Sequence, residues 1–392
     1  MEKIISKAAA LVCVFAMFTF VSCTKEVSDD QSGGEQATIQ INITNPEVTK
    51  AFDAEDGSTI NDVTVLIIAR GSIINKYWFA NLSELTTANT AKSIITTTVA
   101  EHVYIVGNLG SSSTIASSGL FGDGVKTVAQ AEAVKYALAG ITKTNVPTFG
   151  KTATQLSFSA DGDTQKAEAP IQMGLIPARI DVTVNNNMTN YGTTDAIVLQ
   201  SVGIVFSGKE TLLIPNTTTY YELAYTANSN FYASGYLGYP NQTADDHVTT
   251  AVTSLVAPWT ANSDATWVAS PGVESEPANF LSQYTKTFYV IPVDNNKNTI
   301  VTVMGKFPVG AVHADETKFY PAHFGTADVG NTQIESGKQY ELTINLNGDA
   351  SDGTGGGGTD TPEIPVTSGY VTINLTPKAW QAVQISAPKE FN

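Results

Sequence analysis

Thr38-Ile39-Gln40-Ile41-Asn42-Ile43-Thr44, near the N-terminus, alternates apolar and polar residues without a break. Val371-Thr372-Ile373-Asn374-Leu375-Thr376, near the other end, repeats the pattern in nearly the same chemistry. A period of two belongs to a strand with one buried face. Ile39, Ile41 and Ile43 would share that face in the first stretch, and Val371, Ile373 and Leu375 in the second. Either strand could fill the same groove in a β-sandwich.

Working outward, further strands are predicted at 63–69, 102–108, 180–184, 202–206, 287–291, 299–305 and 340–346. All are rich in Val, Ile, Thr and Tyr and bounded by Gly, Pro, Asn or Asp. One stretch reads as a helix, Val128 to Leu138, with Thr127 and Gln130 as a capping box and Gly140 as a stop. Many short strands and little helix predict an all-β chain of sandwich domains.

The surroundings of the two alternating strands differ in an informative way. Pro46 to Asp53 follows the first and carries one basic residue, Lys50, a site for a trypsin-like protease just before Ala51. Cutting there would release everything upstream, including the first strand. The second strand follows a tether from Gly348 to Gly369 that contains four consecutive glycines, Gly355 to Gly358. A flexible chain of that length spans roughly 25 Å. Losing the first strand would leave about three aliphatic sites open, roughly 5–9 kcal/mol of unmet burial. A neighbour's C-terminal strand could recover it by strand addition. Such an exchange runs head to tail and does not close, so it builds a filament.

The N-terminus reads as an export signal. Lys3 and Lys7 precede an apolar run from Ala8 to Val21, too short to span a bilayer core of about 30 Å. Phe20-Val21-Ser22-Cys23 resembles the lipobox of bacterial lipoproteins, with Phe20 in place of the usual aliphatic residue. That resemblance implies lipidation at Cys23. The polar stretch from Thr24 to Gln36 then reads as a tether leaving a membrane. Cys13 would be lost with the signal, so a mature chain would hold no disulfide and no thiolate site.

The chain has 37 acidic and 21 basic residues, which argues against nucleic acid or anionic lipid on a basic face. Charged residues make up only 15%, so Thr, Asn, Ser and Gly carry the polar surface. The histidines (His102, His247, His313, His323) show no metal-site spacing, and His313 and His323 fall in loop-like sequence. Asp161-Gly162-Asp163 lacks the remaining ligands of a calcium loop and reads as a polar turn. No nucleophile elbow or phosphate-binding loop occurs. Neither a catalytic site, a metal nor a cofactor is expected. Tyr232, Tyr236, Tyr239, Trp259 and Trp267 read as aromatics packing a long loop, with a glycan-binding surface as the alternative.

Taken in order, these features resemble the FimA-type fimbrillins, major shaft subunits of type V pili in Bacteroides-like bacteria. The resemblance runs through the signal, Ala51-Phe52 after a basic residue, Val63 to Ile67 and Val103 to Asn108. It continues with Ala178-Arg179-Ile180-Asp181-Val182, Phe288 to Ile291, Gly305-Lys306-Phe307 and Tyr320-Pro321. Ile334-Glu335, Lys338 to Leu342, and the Gly/Pro linker with Val371 to Thr376 and Ala379-Trp380 complete it. It implies two transthyretin-like β-sandwich domains in tandem. The expected division is a signal at 1–23, a propeptide at 24–50, domains at 51–176 and 177–347, and a donor region at 348–392. It also implies outer-membrane delivery as a lipoprotein, removal of the first strand, and a cell-surface fimbrium. The implied partners are further copies of the chain, a processing protease, and tip and anchor subunits, with the membrane reached only through the precursor's lipid. The best-known members are cut after Arg, whereas Lys50 stands at the matching position, so an Arg-only protease would leave this chain uncut. The other reading is a non-polymerising surface lipoprotein or accessory subunit that binds a glycan. A tip subunit would lack the donor extension, which this chain carries, with Trp380 as its anchor.

Overall fold

The computed structural model describes residues 33–44, 60–110, 115–117, 119–137, 141, 145–187, 198–208, 210–214, 231–234, 283–292, 298–306, 317–348, 357–359, 364–366 and 370–379. Strands dominate them, as the alternation predicts. The first half of the chain builds one eight-stranded sheet. Its path runs β3 (Ser72–Phe79), β2 (Val63–Ala69), β5 (His102–Gly107), β7 (Thr148–Thr152), β9 (Thr164–Leu175), β1 (Gln36–Thr44), β4 (Ile95–Thr97), with β8 (Phe158–Asp161) also on β9. β2 is buried throughout because both its faces are covered. Val63, Val65 and Ile67 enter one core, and Leu66 and Ile68 another. The first of these cores joins Ile39 and Ile41 of β1 to side chains of β2, β3 and β5. Strands at opposite ends of the path thus meet, so the sheet folds over on itself around that core.

Two α-helices are described. α1 (Leu82–Thr90) is missed by the sequence reading because Thr86, Thr87 and Thr90 look like strand residues. Their hydroxyls instead donate to carbonyls four residues back, those of Leu82, Ser83 and Thr86. A signal did exist. Asn81 accepts from Glu84 N–H and the Glu84 carboxylate accepts from Ala80 N–H, a variant of the capping box. α2 (Val128–Glu132) has the expected box between Thr127 and Gln130. It stops well short of Leu138, however, because Lys135–Ala137 forms strand β6 against β12 (Glu210–Leu212). This ladder joins the two halves of the chain, with Lys135 and Glu210 paired at 3.4 Å. Leu213 and Ile214 continue the contact into the core of Leu66 and Phe121.

The second half builds two four-stranded sheets. One is ordered β14 (Gln283–Val290), β10 (Ala178–Asn186), β17 (Lys338–Leu346), β18 (Val371–Ala379). The other is ordered β13 (Phe231–Ser234), β11 (Val198–Gly208), β15 (Ile300–Lys306), β16 (Thr317–His323). Their inward faces share one core, including Ile180, Val182, Val202, Val303, Tyr320 and Leu342, which makes a sandwich. The two halves repeat one rule: the first strand pairs in parallel with a late strand, β1 with β9 and β10 with β17. His323 corrects the loop reading of the sequence. It ends a buried strand, and its Nδ1 lies 2.8 Å from the Asp328 carboxylate.

Tyr340 in this core donates its hydroxyl to the Gln333 carbonyl at 2.9 Å and accepts from Glu335 N–H at 2.8 Å. Burial pushes its pKa up from 10 to about 12, although the Glu335 N–H favours the ionised form. The unfolded chain loses this proton near pH 10, so the tyrosine's contribution is whole below pH 10 and lost as pH rises through about 12. Tyr340→Phe leaves two backbone groups unmatched and should cost about 1–3 kcal/mol at neutral pH. In denaturant melts the variant should also lack this part of the alkaline loss of stability.

Candidate assembly groove

β1 lies inside a sheet. On one side it pairs in parallel with β9 over its length, from Ala37 opposite Gln165 to Thr44 opposite Gln172. On the other, β4 covers only its start, with Gln36, Ala37 and Thr38 opposite Thr97, Thr96 and Ile95. Ile39 N–H still reaches the Ile94 carbonyl at 3.0 Å. Where that ladder ends, the Asn89 side chain of α1 takes over. Ile41 N–H donates to Asn89 Oδ1 at 3.1 Å, and Asn89 Nδ2 donates to the Ile41 carbonyl at 2.8 Å.

Ala37, Ile39 and Ile41 are buried, and Ile43 packs half-buried on the same core. Ala167 and Ala169 of β9 stand in register with Ile39 and Ile41, so small side chains flank the large ones. On the outer face Asn42 Nδ2 donates to the Glu168 carboxylate at 2.7 Å. Burying Ile39 and Ile41 stabilises the strand by about 1.5–3 kcal/mol each, before any hydrogen bond is counted.

β18 carries the same alternation in a shallower place. Among the described residues it pairs only with β17, antiparallel, with Val371, Ile373 and Leu375 opposite Leu346, Ile344 and Leu342. Val371 is buried, but Ile373 and Leu375 are only partly so. Pro377 is tolerated because the strand is an edge. The described parts of its tether are laid along the body. Thr359 and Phe319 exchange backbone hydrogen bonds of 2.8 Å, and Val366 packs on the core. Gly357, at φ 82°, lies so close to Tyr370 that an added Cβ would meet the Cβ of Tyr370 at 2.1 Å.

The structure therefore places Ile39, Ile41 and Ile43 in an interior groove and Val371, Ile373 and Leu375 on the edge of a different sheet. Cys23, Lys50, Ala51 and Trp380 lie outside the described residues, as do His247, His313, Tyr236, Tyr239, Trp259 and Trp267. Asp161-Gly162-Asp163 forms the turn between β8 and β9. Hydrogen bonding to Lys92 holds the Asp161 carboxyl below the usual carboxylate range. Asn89 has no sequence signal, because its partner is the main chain of a strand 48 residues away.

The class these strands define is an all-β, sandwich-built chain with a deeply held first strand and an edge-docked last strand. The model of the FimA-like major fimbrial subunit protein, C-terminal domain, matches residues 177–380, just over half of the chain. The chain belongs to this family, and is thus a fimbrial subunit of the cell surface. Among solved structures it is similar to a candidate cell adhesion protein from Bacteroides eggerthii, with 25% identity and a TM-score of 0.64. That match covers 89% of this chain and 97% of the other. It is similar in fold to a fimbrilin from Porphyromonas gingivalis, with 15% identity, a TM-score of 0.55, and coverage of 90% and 99%. No curated protein matches it in sequence.

Truncating side chains of the two strands should separate their contributions to the stability of the uncut chain. Ile41→Ala, in the interior groove, should lower the unfolding free energy by about 2–5 kcal/mol. Ile373→Ala, half-exposed at the edge, should cost less than half of that. Urea melts of the two variants make the comparison.

Proposed function

We propose that this fimbrial subunit forms the shaft of an adhesive filament by strand exchange. It is delivered to the outer membrane as a lipoprotein through Cys23 and is cut between Lys50 and Ala51. The cut frees the segment that carries β1, and the C-terminal strand of the next copy takes its place. The working subunit is two sandwich domains in tandem, 51–176 and 177–347, followed by the donor region 348–392. Its partners are copies of itself, the processing protease, and tip and anchor subunits. The lipid belongs to the precursor.

The observation that carries this reading is the difference in depth between two strands of the same pattern. β1 is paired on both sides and its inward isoleucines are buried, whereas β18 is paired on one side and half-exposed. A strand with Val371, Ile373 and Leu375 gains burial and a second line of hydrogen bonds by leaving the edge for the groove. In the precursor β1 blocks that gain, so proteolysis sets the direction of assembly. The likeness to the Bacteroides eggerthii protein supports a role in adhesion.

Treating purified precursor with a Lys-specific protease should yield chains that begin at Ala51 by mass and that run as ladders on a denaturing gel without boiling. Complete cleavage after Lys50 with only monomers present would sink the model. A chain lacking Tyr370–Asn392 should remain a folded monomer after the same cut, and long polymers from it would place the donor elsewhere.

A further inference from the structure

The groove grips its strand at one point by a side chain and not by another strand. β4 ends its ladder at Thr38, and the last backbone bond from its side goes from Ile39 N–H to the Ile94 carbonyl. One residue pair further along, the main chain of Ile41 would present an unpaired N–H and C=O. The Asn89 carboxamide meets both, accepting from the N–H at 3.1 Å and donating to the carbonyl at 2.8 Å. A carboxamide has the same planar donor and acceptor as a peptide unit, so Asn89 acts as a one-residue extension of β4. Its helix is fixed beneath it. Leu85 and Ala88 are buried, and the Ser93 N–H and hydroxyl both bond to the Ala88 carbonyl.

Nothing in this contact touches the side chain of Ile41. We propose that Asn89 is a backbone-reading fork that fixes the register of whichever strand fills the groove, and that in the filament it holds Ile373 of the incoming copy. This inference rests on the strand-exchange reading and adds to it the residue that sets the donor's position. A strand that keeps its apolar face inward can shift only by two residues at a time. With Ile373 at the fork, Val371, Ile373 and Leu375 occupy the places of Ile39, Ile41 and Ile43. Asn374 then replaces Asn42 and can make the same bond to Glu168. With Leu375 at the fork, Val371 must enter the fully buried place of Ala37, and Pro377 that of Ile43. Pro377 cannot sit at the fork at all, because it has no N–H to offer.

The test uses the full chain cleaved after Lys50, with a synthetic peptide of Tyr370–Ala379 added as a competitor for the groove. The readout is the peptide concentration that halves ladder growth. The unmodified peptide should inhibit. Methylating the Ile373 nitrogen removes the donor to the fork without touching the β9 ladder, and should raise the inhibitory concentration about tenfold. Methylating the Leu375 nitrogen should change it less than twofold. In Asn89→Ala chains the penalty at Ile373 should disappear, which closes a thermodynamic cycle on this one contact. Equal penalties at Ile373 and Leu375, or a penalty at Ile373 that survives in Asn89→Ala, would overturn the fork. An unmodified peptide that never competes while the cleaved chains still form ladders would overturn the exchange of β18 itself, and the fork's part in it. The peptide arm leaves the protein unaltered, so a folding defect of the variant cannot mimic the result.

Discussion

The structure depends on keeping one interior strand position filled. β1 stands between β9 and the combined edge of β4 and Asn89, and its inward side chains complete a core shared with β2, β3 and β5. Emptying that position would strip a line of hydrogen-bond partners from β9 and expose apolar side chains at once. Unpaired edges of this kind attract any strand able to match them. In the strand-exchange proposal, an occupant that belongs to the chain itself holds off association for as long as it stays.

The second half of the chain has a corresponding position, taken by β10 against β17 and β14. β10 follows β9 after only Ile176 and Pro177, so its start is tied directly to the body of the protein. β1 is joined to β2 through 45–62, of which 60–62 are among the described residues. The two positions share a topology and differ in connection. On the strand-exchange proposal it is the first position that gives up its strand. The edge strand β18 shows the complementary economy. It covers part of the second core through one ladder among the described residues, with Ile373 and Leu375 left half-exposed.

Much of this was legible in the residues. The alternation at 38–44 and 371–376 identified both strands and their inward faces, and Thr127 with Gln130 located the start of α2. Three features were hidden for physical reasons. α1 is threonine-rich, and its helix is held by hydroxyls bonded to its own backbone and by a buried Leu85. Lys135–Ala137 has local helical context, but a ladder to Glu210–Leu212, more than 70 positions away, makes it extended. His323 sits among turn-forming residues and is drawn into β16 by pairing with Ile300.

The sequence by itself determined that the chain is built of short strands and which side chains those strands bury. It also determined that two distant strands carry interchangeable patterns. It did not determine which of the two is interior and which is an edge, because a period of two specifies the faces of a strand and says nothing about its neighbours. Only the tertiary structure decided that, by setting β1 between β9, β4 and Asn89 and, among the described residues, β18 beside β17 alone. Hydrogen bonding along a sheet is made by the main chain, which is the same for every residue except proline, so the place of each strand had to come from the packing of the whole.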